Sequence, residues 1–112
     1  MFIVFTKIFR RIDNVIIGAR AGYNAEGSDC VMIGTQSGYY NNMGNNVTFV
    51  GEEAGYNNTT GDDNTFLGED AGYYNSTASD NTFVGRRAGY YNATGYRNCF
   101  VGSEAGYNNY TG

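Results

Sequence analysis

The sequence predicts an all-β chain, a parallel β-solenoid (β-roll) of six coils of about 17 residues each. Three observations predict it. The first is a glycine register: Gly18, Gly34, Gly51, Gly68, Gly85 and Gly102 stand 16, 17, 17, 17 and 17 residues apart. Each is followed four residues later by a second glycine and then by a tyrosine, giving Tyr23, Tyr39, Tyr56, Tyr73, Tyr90 and Tyr107. The second is the unit itself, roughly N-T-F-V-G-x-x-A-G-Y-x-N-x-T-G-x-x, which is too short for two packed helices and has no helical apolar period. The third is its local chemistry. Short β-favouring runs such as Thr65-Phe66-Leu67 are bounded by Gly, Asn and Asp, which are turn residues. Stacked at a step of about 4.8 Å, six such coils make a rod of about 29 Å.

Along the chain, residues 1–13 read as an N-terminal capping or coiled-coil-like segment and residues 14–112 as the six-repeat solenoid. Phe2, Phe5, Phe9 and Ile12 follow a three-four spacing opposite Lys7, Arg10 and Arg11, which fits a short amphipathic helix. The β-propensity of Ile3, Val4 and Phe5 fits a capping strand equally. The first coil is one residue short, between Gly22 and Gly27. Ala78 stands in the third-glycine column with Gly61 and Gly95, so an altered turn is expected there. The first-glycine column is expected at a corner where only Gly takes positive φ without penalty.

Composition narrows the function classes. The 112 residues include 17 Gly and 11 Tyr but no His, Pro or Trp, and the formal net charge is −4. Without His, and with two Cys, the commonest general bases, metal ligands and nucleophiles are missing. No convergent acid–base pair is visible, so no enzyme, catalytic residue, cofactor or metal is expected. The negative charge gives no footprint for nucleic acid or anionic lipid. No run reaches membrane-spanning length, and the first residues make a poor signal peptide. The chain reads as soluble, or as a segment of a larger secreted or virion protein.

Stacking turns linear motifs into columns. Phe49, Phe66, Phe83 and Phe100, with Ile16 and Met32, point to one side of the strand; Val50, Leu67, Val84 and Val101, with Ile17 and Ile33, point to the other. A coil has one interior. The expectation is that Val and Leu fill it together with Ala54, Ala71, Ala88 and Ala105. The Phe stripe then faces a partner chain in a trimer; the alternative is a flattened coil that buries both columns.

The Tyr column, with Tyr40, Tyr74 and Tyr91 beside it, reads as a stacking device, with a carbohydrate-contacting face as the alternative. Asn41, Asn58, Asn75, Asn92 and Asn109 form a ladder column, and Asn14, Asn64, Asn81 and Asn98 another. The first creates N-x-T sequons at Asn58, Asn75, Asn92 and Asn109, candidate glycosylation sites if the source is eukaryotic. Regular Thr columns raise ice binding, although Thr48, Thr65 and Thr82 give way to Val15, Val31 and Cys99. Arg86 and Arg87 are expected one coil above Glu69 and Asp70, as an exposed ion-pair patch. Carboxylates at Glu52, Glu53, Glu69 and Asp70 lack the loop of a Ca²⁺ site. Cys30 and Cys99, four coils apart, are beyond disulfide reach and read as small buried hydrophobes.

The N-T-F-[VL]-G-x-x-A-G-Y-x-N-x-T-G unit resembles the Asn/Gly-rich repeats of bacterial and phage tail-fibre domain proteins. It is similar, more distantly, to the head repeats of YadA-like trimeric autotransporter adhesins, whose N-S-V-A-I-G run parallels Asn81-Thr82-Phe83-Val84-Gly85. The resemblance spans about residues 14–112. It implies a trimer of parallel left-handed β-rolls on an extracellular fibre, at a cell surface or on a virion, that contacts a receptor or surface glycan. The repeat is longer than the YadA head unit and carries Phe where that unit has Ala, and no ligand-binding residue carries over. The reading is therefore a structural or attachment rod. The alternatives are a self-assembling extracellular filament, polymerising head to tail, and an ice- or glycan-binding solenoid.

Overall fold

The computed structural model describes residues 13–112, so the expected capping segment lies, apart from Asp13, outside the described residues. Six three-residue strands follow one another: β1 (Val15–Ile17), β2 (Val31–Ile33), β3 (Thr48–Val50), β4 (Thr65–Leu67), β5 (Thr82–Val84) and β6 (Cys99–Val101). They form one parallel sheet in sequence order, a β-solenoid of about five turns. Like residues pair in register, Thr48 with Thr65, Phe49 with Phe66 and Val50 with Leu67.

The rest of each coil is turn, and it is bonded as fully as the strands. In the third coil the N–H groups of Ala54, Tyr56 and Asn58 donate to Gly51, Glu53 and Gly55 carbonyls three residues back. The intervening amides bond between coils. Gly51 and Glu53 donate to Ile33 and Thr35 of the previous coil at 2.8 and 2.9 Å. Gly55 and Asn57 donate to Ala71 and Tyr73 of the next at 2.9 and 3.0 Å. Buried backbone groups need partners, and stacked turns supply them where no strand exists.

Two glycine columns have distinct reasons. The Gly18 column holds φ between 128° and 136°, and a Cβ on Gly51 would sit 2.6 Å from the Gly68 carbonyl oxygen. Coils approach too closely there for any side chain. At Gly55 a Cβ would meet the Phe49 ring at 2.5 Å, so the second glycine column makes room for the ring. Two further positions per coil take left-handed φ with ordinary residues, among them Asp63 at 56° and Asp70 at 59°. In the first of these columns Asp and Asn hold five of six places, as their tolerance of that region favours.

Ala78 keeps the role of its column: its carbonyl accepts from Asn75 Nδ2 at 2.8 Å and Asn64 Nδ2 at 2.7 Å. Beside it the Thr77 N–H to Ala93 carbonyl bond is 3.4 Å, against 3.2 Å for Thr60 to Ser76.

The core corrects the expected sidedness. Met32, Phe49, Phe66 and Phe83 are fully buried inside their own chain, with Ile16 and Phe100 packed against them. The Phe stripe is thus not an inter-chain surface. Ile33, Val50, Leu67 and Val84 point outward and are half-buried, and Val101 is exposed. The physical reason is alternation: the first and third residues of each strand share a face, and the first is Thr in three of the coils. A face carrying Thr belongs outside, and the single middle residue fills the interior. Ala54, Ala71 and Ala88 are buried as expected of interior residues. The Phe rings stack at 4.8 to 5.0 Å with planes within 13°.

Candidate functional site

The turn side of each coil carries the chemistry. Asn58, Asn75 and Asn92 are fully buried. Each side-chain amide donates to the Oδ1 of the Asn one coil earlier, at 2.7, 2.8 and 2.9 Å, and to the carbonyl three residues ahead, at 2.7, 2.8 and 2.5 Å. Asn109 extends the ladder to Asn92 at 2.6 Å. The second Asn column crosses to the first: Asn64 donates to Asn58 at 3.1 Å and Asn81 to Asn75 at 3.3 Å.

This arrangement corrects the candidate glycosylation sites. The Nδ2 atoms of Asn58, Asn75 and Asn92 lie in the interior with both protons committed, and that of Asn109 is half-buried and committed to Asn92. A glycan on any of them would break the ladder, so the sequons follow from turn and ladder chemistry.

The tyrosines form one aromatic wall. Tyr23, Tyr39, Tyr56, Tyr73, Tyr90 and Tyr107 stack with centroids 4.9 to 5.2 Å apart and planes within 13°. Their flat faces cover one another, so the column presents edges and hydroxyls outward. Tyr40, Tyr74 and Tyr91 stand edge-on to it, each 4.7 Å from the tyrosine before it. Burial, and secondarily the Asp70 carboxylate, pushes the Tyr90 phenol up to about 12. Burial, followed by Glu53, raises Tyr73 as well.

At the exposed corner, Arg86 meets Glu69 at 3.5 Å and Arg87 meets Asp70 at 3.5 Å, one coil apart. Arg86 also lies 3.9 Å from Glu104. Burial, then the charge and hydrogen bond of Asp70, raises the Glu53 carboxyl, with Glu52 and Glu69 adding to it. Among the described residues no three His, Cys, Asp or Glu side chains come together as a metal-binding set.

Both cysteines are free. Cys30 is buried, its thiol pushed up by burial and set to donate to the Ser28 carbonyl at 3.2 Å. Cys99 is exposed on the outer strand face, which corrects its expected burial. No described helix is long and apolar enough to cross a membrane. Sequence reasoning identified the columns but missed a recess at the short first coil, lined by Asn24, Glu26, Tyr40, Asn42 and Met43. The missing residue before Gly27 was its only signal. No protein-family model, curated protein or solved structure matches this chain.

Proposed function

We propose that this chain is a non-catalytic structural and attachment element, a rigid repeat segment of an extracellular fibre or adhesin that presents its turns to a cell surface. One observation carries the reading: strands, turns, rings and amides are all committed to coil-to-coil bonding, so the side-chain chemistry goes into a stiff scaffold. A rigid rod with variable exposed corners suits display, because the corners at Glu52, Glu69, Arg86 and Ser103 differ on a constant frame. The left-handed coil and the association of chains in threes are the finer parts of the proposal. They rest on the resemblance of the repeat, and not on the Phe column, which is interior.

The test is retention of beads coated with the folded chain on cell surfaces, together with sedimentation and electron microscopy. Retention with discrete trimers supports the reading; absence of retention on every surface tried overturns it. The second reading is a filament. It extends the parallel, in-register stacking that joins successive coils from one chain to the next. Long polymers in the micrographs would favour it.

A further inference from the structure

The place after each column tyrosine is taken in turn by Asn24, Tyr40, Asn57, Tyr74, Tyr91 and Asn108. Where tyrosines follow one another there, their rings stack: Tyr74 and Tyr91 lie 5.3 Å apart with planes 2° apart. Where asparagine follows, the ring before it keeps an uncovered face. Asn108 makes such a place, and another residue supplies the missing ring. Tyr110, two positions further on, lies 5.8 Å from Tyr91 with its plane tilted by 31°. Tyr91 is accordingly half-buried.

Asn57 makes the same gap in the middle of the stack, and no ring among the described residues fills it. The counterpart of Tyr110 is here Thr59, whose hydroxyl donates to the Ser76 carbonyl at 3.0 Å. Tyr40 and Tyr74, on either side, hold one pose. Each lies 4.7 Å from the tyrosine before it, at 72° and 70°. Each lies 5.5 Å from the column tyrosine one coil on, at 84° and 81°. Two coil steps put the two rings about 10 Å apart. A ring midway stacks on both at about 5 Å, the ordinary spacing of aromatic pairs. Tyr40 and Tyr74 are 39% and 41% exposed. Asn57 is half-buried and reaches only the base of the place, and its amide has no hydrogen-bond partner among the described residues.

We propose that the place between Tyr40 and Tyr74 binds a phenolic ring, of a free phenol or of a partner's tyrosine side chain. The ring enters hydroxyl first, its faces stack on Tyr40 and Tyr74, and its hydroxyl meets the Asn57 amide. That amide offers donors and an acceptor, and a phenol hydroxyl both donates and accepts. Tyr110 over Tyr91 is the chain's own instance of a phenol ring covering such a face. A quaternary ammonium would suit the two ring faces but leave the amide unpaired. The inference stands on this geometry and does not need the attachment reading.

Saturation-transfer NMR titrations of the folded chain with p-cresol test it, in the millimolar range expected for one ring on an open site. Transfer to the cresol ring protons is expected, with binding weakened about tenfold by Tyr40→Ala or Tyr74→Ala. Toluene, which lacks the hydroxyl, should bind about fivefold more weakly than p-cresol. Asn57→Tyr fills the vacant ring place, so it should abolish transfer while leaving the melting temperature equal or higher. That separates a filled site from an unfolded one. Tyr96→Ala removes an exposed tyrosine of another loop and should leave transfer intact.

No transfer from the unmodified chain overturns the proposal. So does undiminished transfer to p-cresol from the Asn57→Tyr chain. An equal loss in Tyr96→Ala overturns it as well, because it marks adhesion to tyrosines in general. So does toluene that binds as well as p-cresol, because the hydroxyl then has no role. A methyl pyranoside or tetramethylammonium that displaces p-cresol at lower concentration overturns it in favour of a sugar or a cation. A capped tyrosine tripeptide distinguishes the two sources. Its displacing p-cresol at similar or lower concentration supports a partner's side chain, and its failure to do so supports a free phenol.

Discussion

Apart from the loop that is one residue short in the first coil, the first two coils and the last three follow the same backbone path around different fillings. Arg20 and Gln36 take φ of 58° and 57° where Asp70 and Arg87 take 59° and 58°. The strands stay in register throughout. Inside, the early coils hold Ile16, Met32, Ala25 and Cys30, while the later ones hold a stack of Phe rings and two columns of Asn. The amide ladder starts only at Asn41. The path is thus set by the turn positions and the close approach at the first glycine. The Phe rings are a reinforcement added from the third coil on, whereas amide bonding already reaches the first two coils, where Asn14 bonds Gly27 and Cys30 and Asn41 bonds Gly44.

The largest expected effect comes from removing a central ring. Phe66→Ala deletes a fully buried side chain stacked at 4.9 Å on Phe49 and 4.8 Å on Phe83. It should cost about 4 to 5 kcal/mol, measured by urea unfolding. Met32→Ala, in the early coils, should cost about 3 kcal/mol, because it empties a similar volume without breaking a stack. Equal losses would mean that the Phe column adds burial alone.

Next is the ladder. Asn58 donates to Asn41 and Gly61, and accepts from Asn64 and Asn75. Asn58→Ala strands buried groups on both neighbouring coils and should cost about 3 kcal/mol. Cys30→Ala, at the Asn64-equivalent place in the second coil, should cost about 1 kcal/mol. A ladder that is incidental to stability would show no such gap.

The same contrast shows what was legible beforehand. Period, strand sites, register and both Asn columns can be read from the spacing of Gly, Tyr and Asn, because each coil repeats one steric problem. Sidedness was legible too, in a signal easily overlooked: Thr48 shares a face with Val50 and not with Phe49. The glycine at Gly55 makes sense only once a ring is known to lie over it. Burial of the sequon amides was hidden because Asn serves exposed turns and interior ladders equally well. The recess depends on one absent residue and on the stacking of its neighbours, and these meet only in three dimensions.

A pH change tests the aromatic wall without mutation. Tyr90 is held up to about 12, above the ordinary phenol value of about 10, and Tyr73 is raised in the same direction. The folded state therefore keeps phenolic protons that the unfolded chain has lost. Stability should be fully present below about pH 10 and fall as pH rises towards about 12. Denaturant titrations across that window should show the decline, and Tyr90→Phe should lessen it. An unchanged slope in that variant would mean that another group is responsible.

The smallest expected effect is a gain. At the same corner, with almost the same φ, the second coil carries Gln36 and the third Glu53. Glu53 faces Asp70, Glu52 and Glu69, and burial with these charges raises its carboxyl, so its ionised form works against folding at neutral pH. Glu53→Gln imports the residue of the early coil. It should stabilise the chain by about 0.5 kcal/mol at neutral pH, the scale of exposed charge interactions. The gain should shrink as acid protonates Glu53 in the parent, since the stability lost on ionising a raised carboxyl is recovered below its pKa. Arg86 and Arg87 already offset the same acidic corner from the next coil, which is why the gain stays small. A gain that persisted at low pH would place its origin in packing and not in charge.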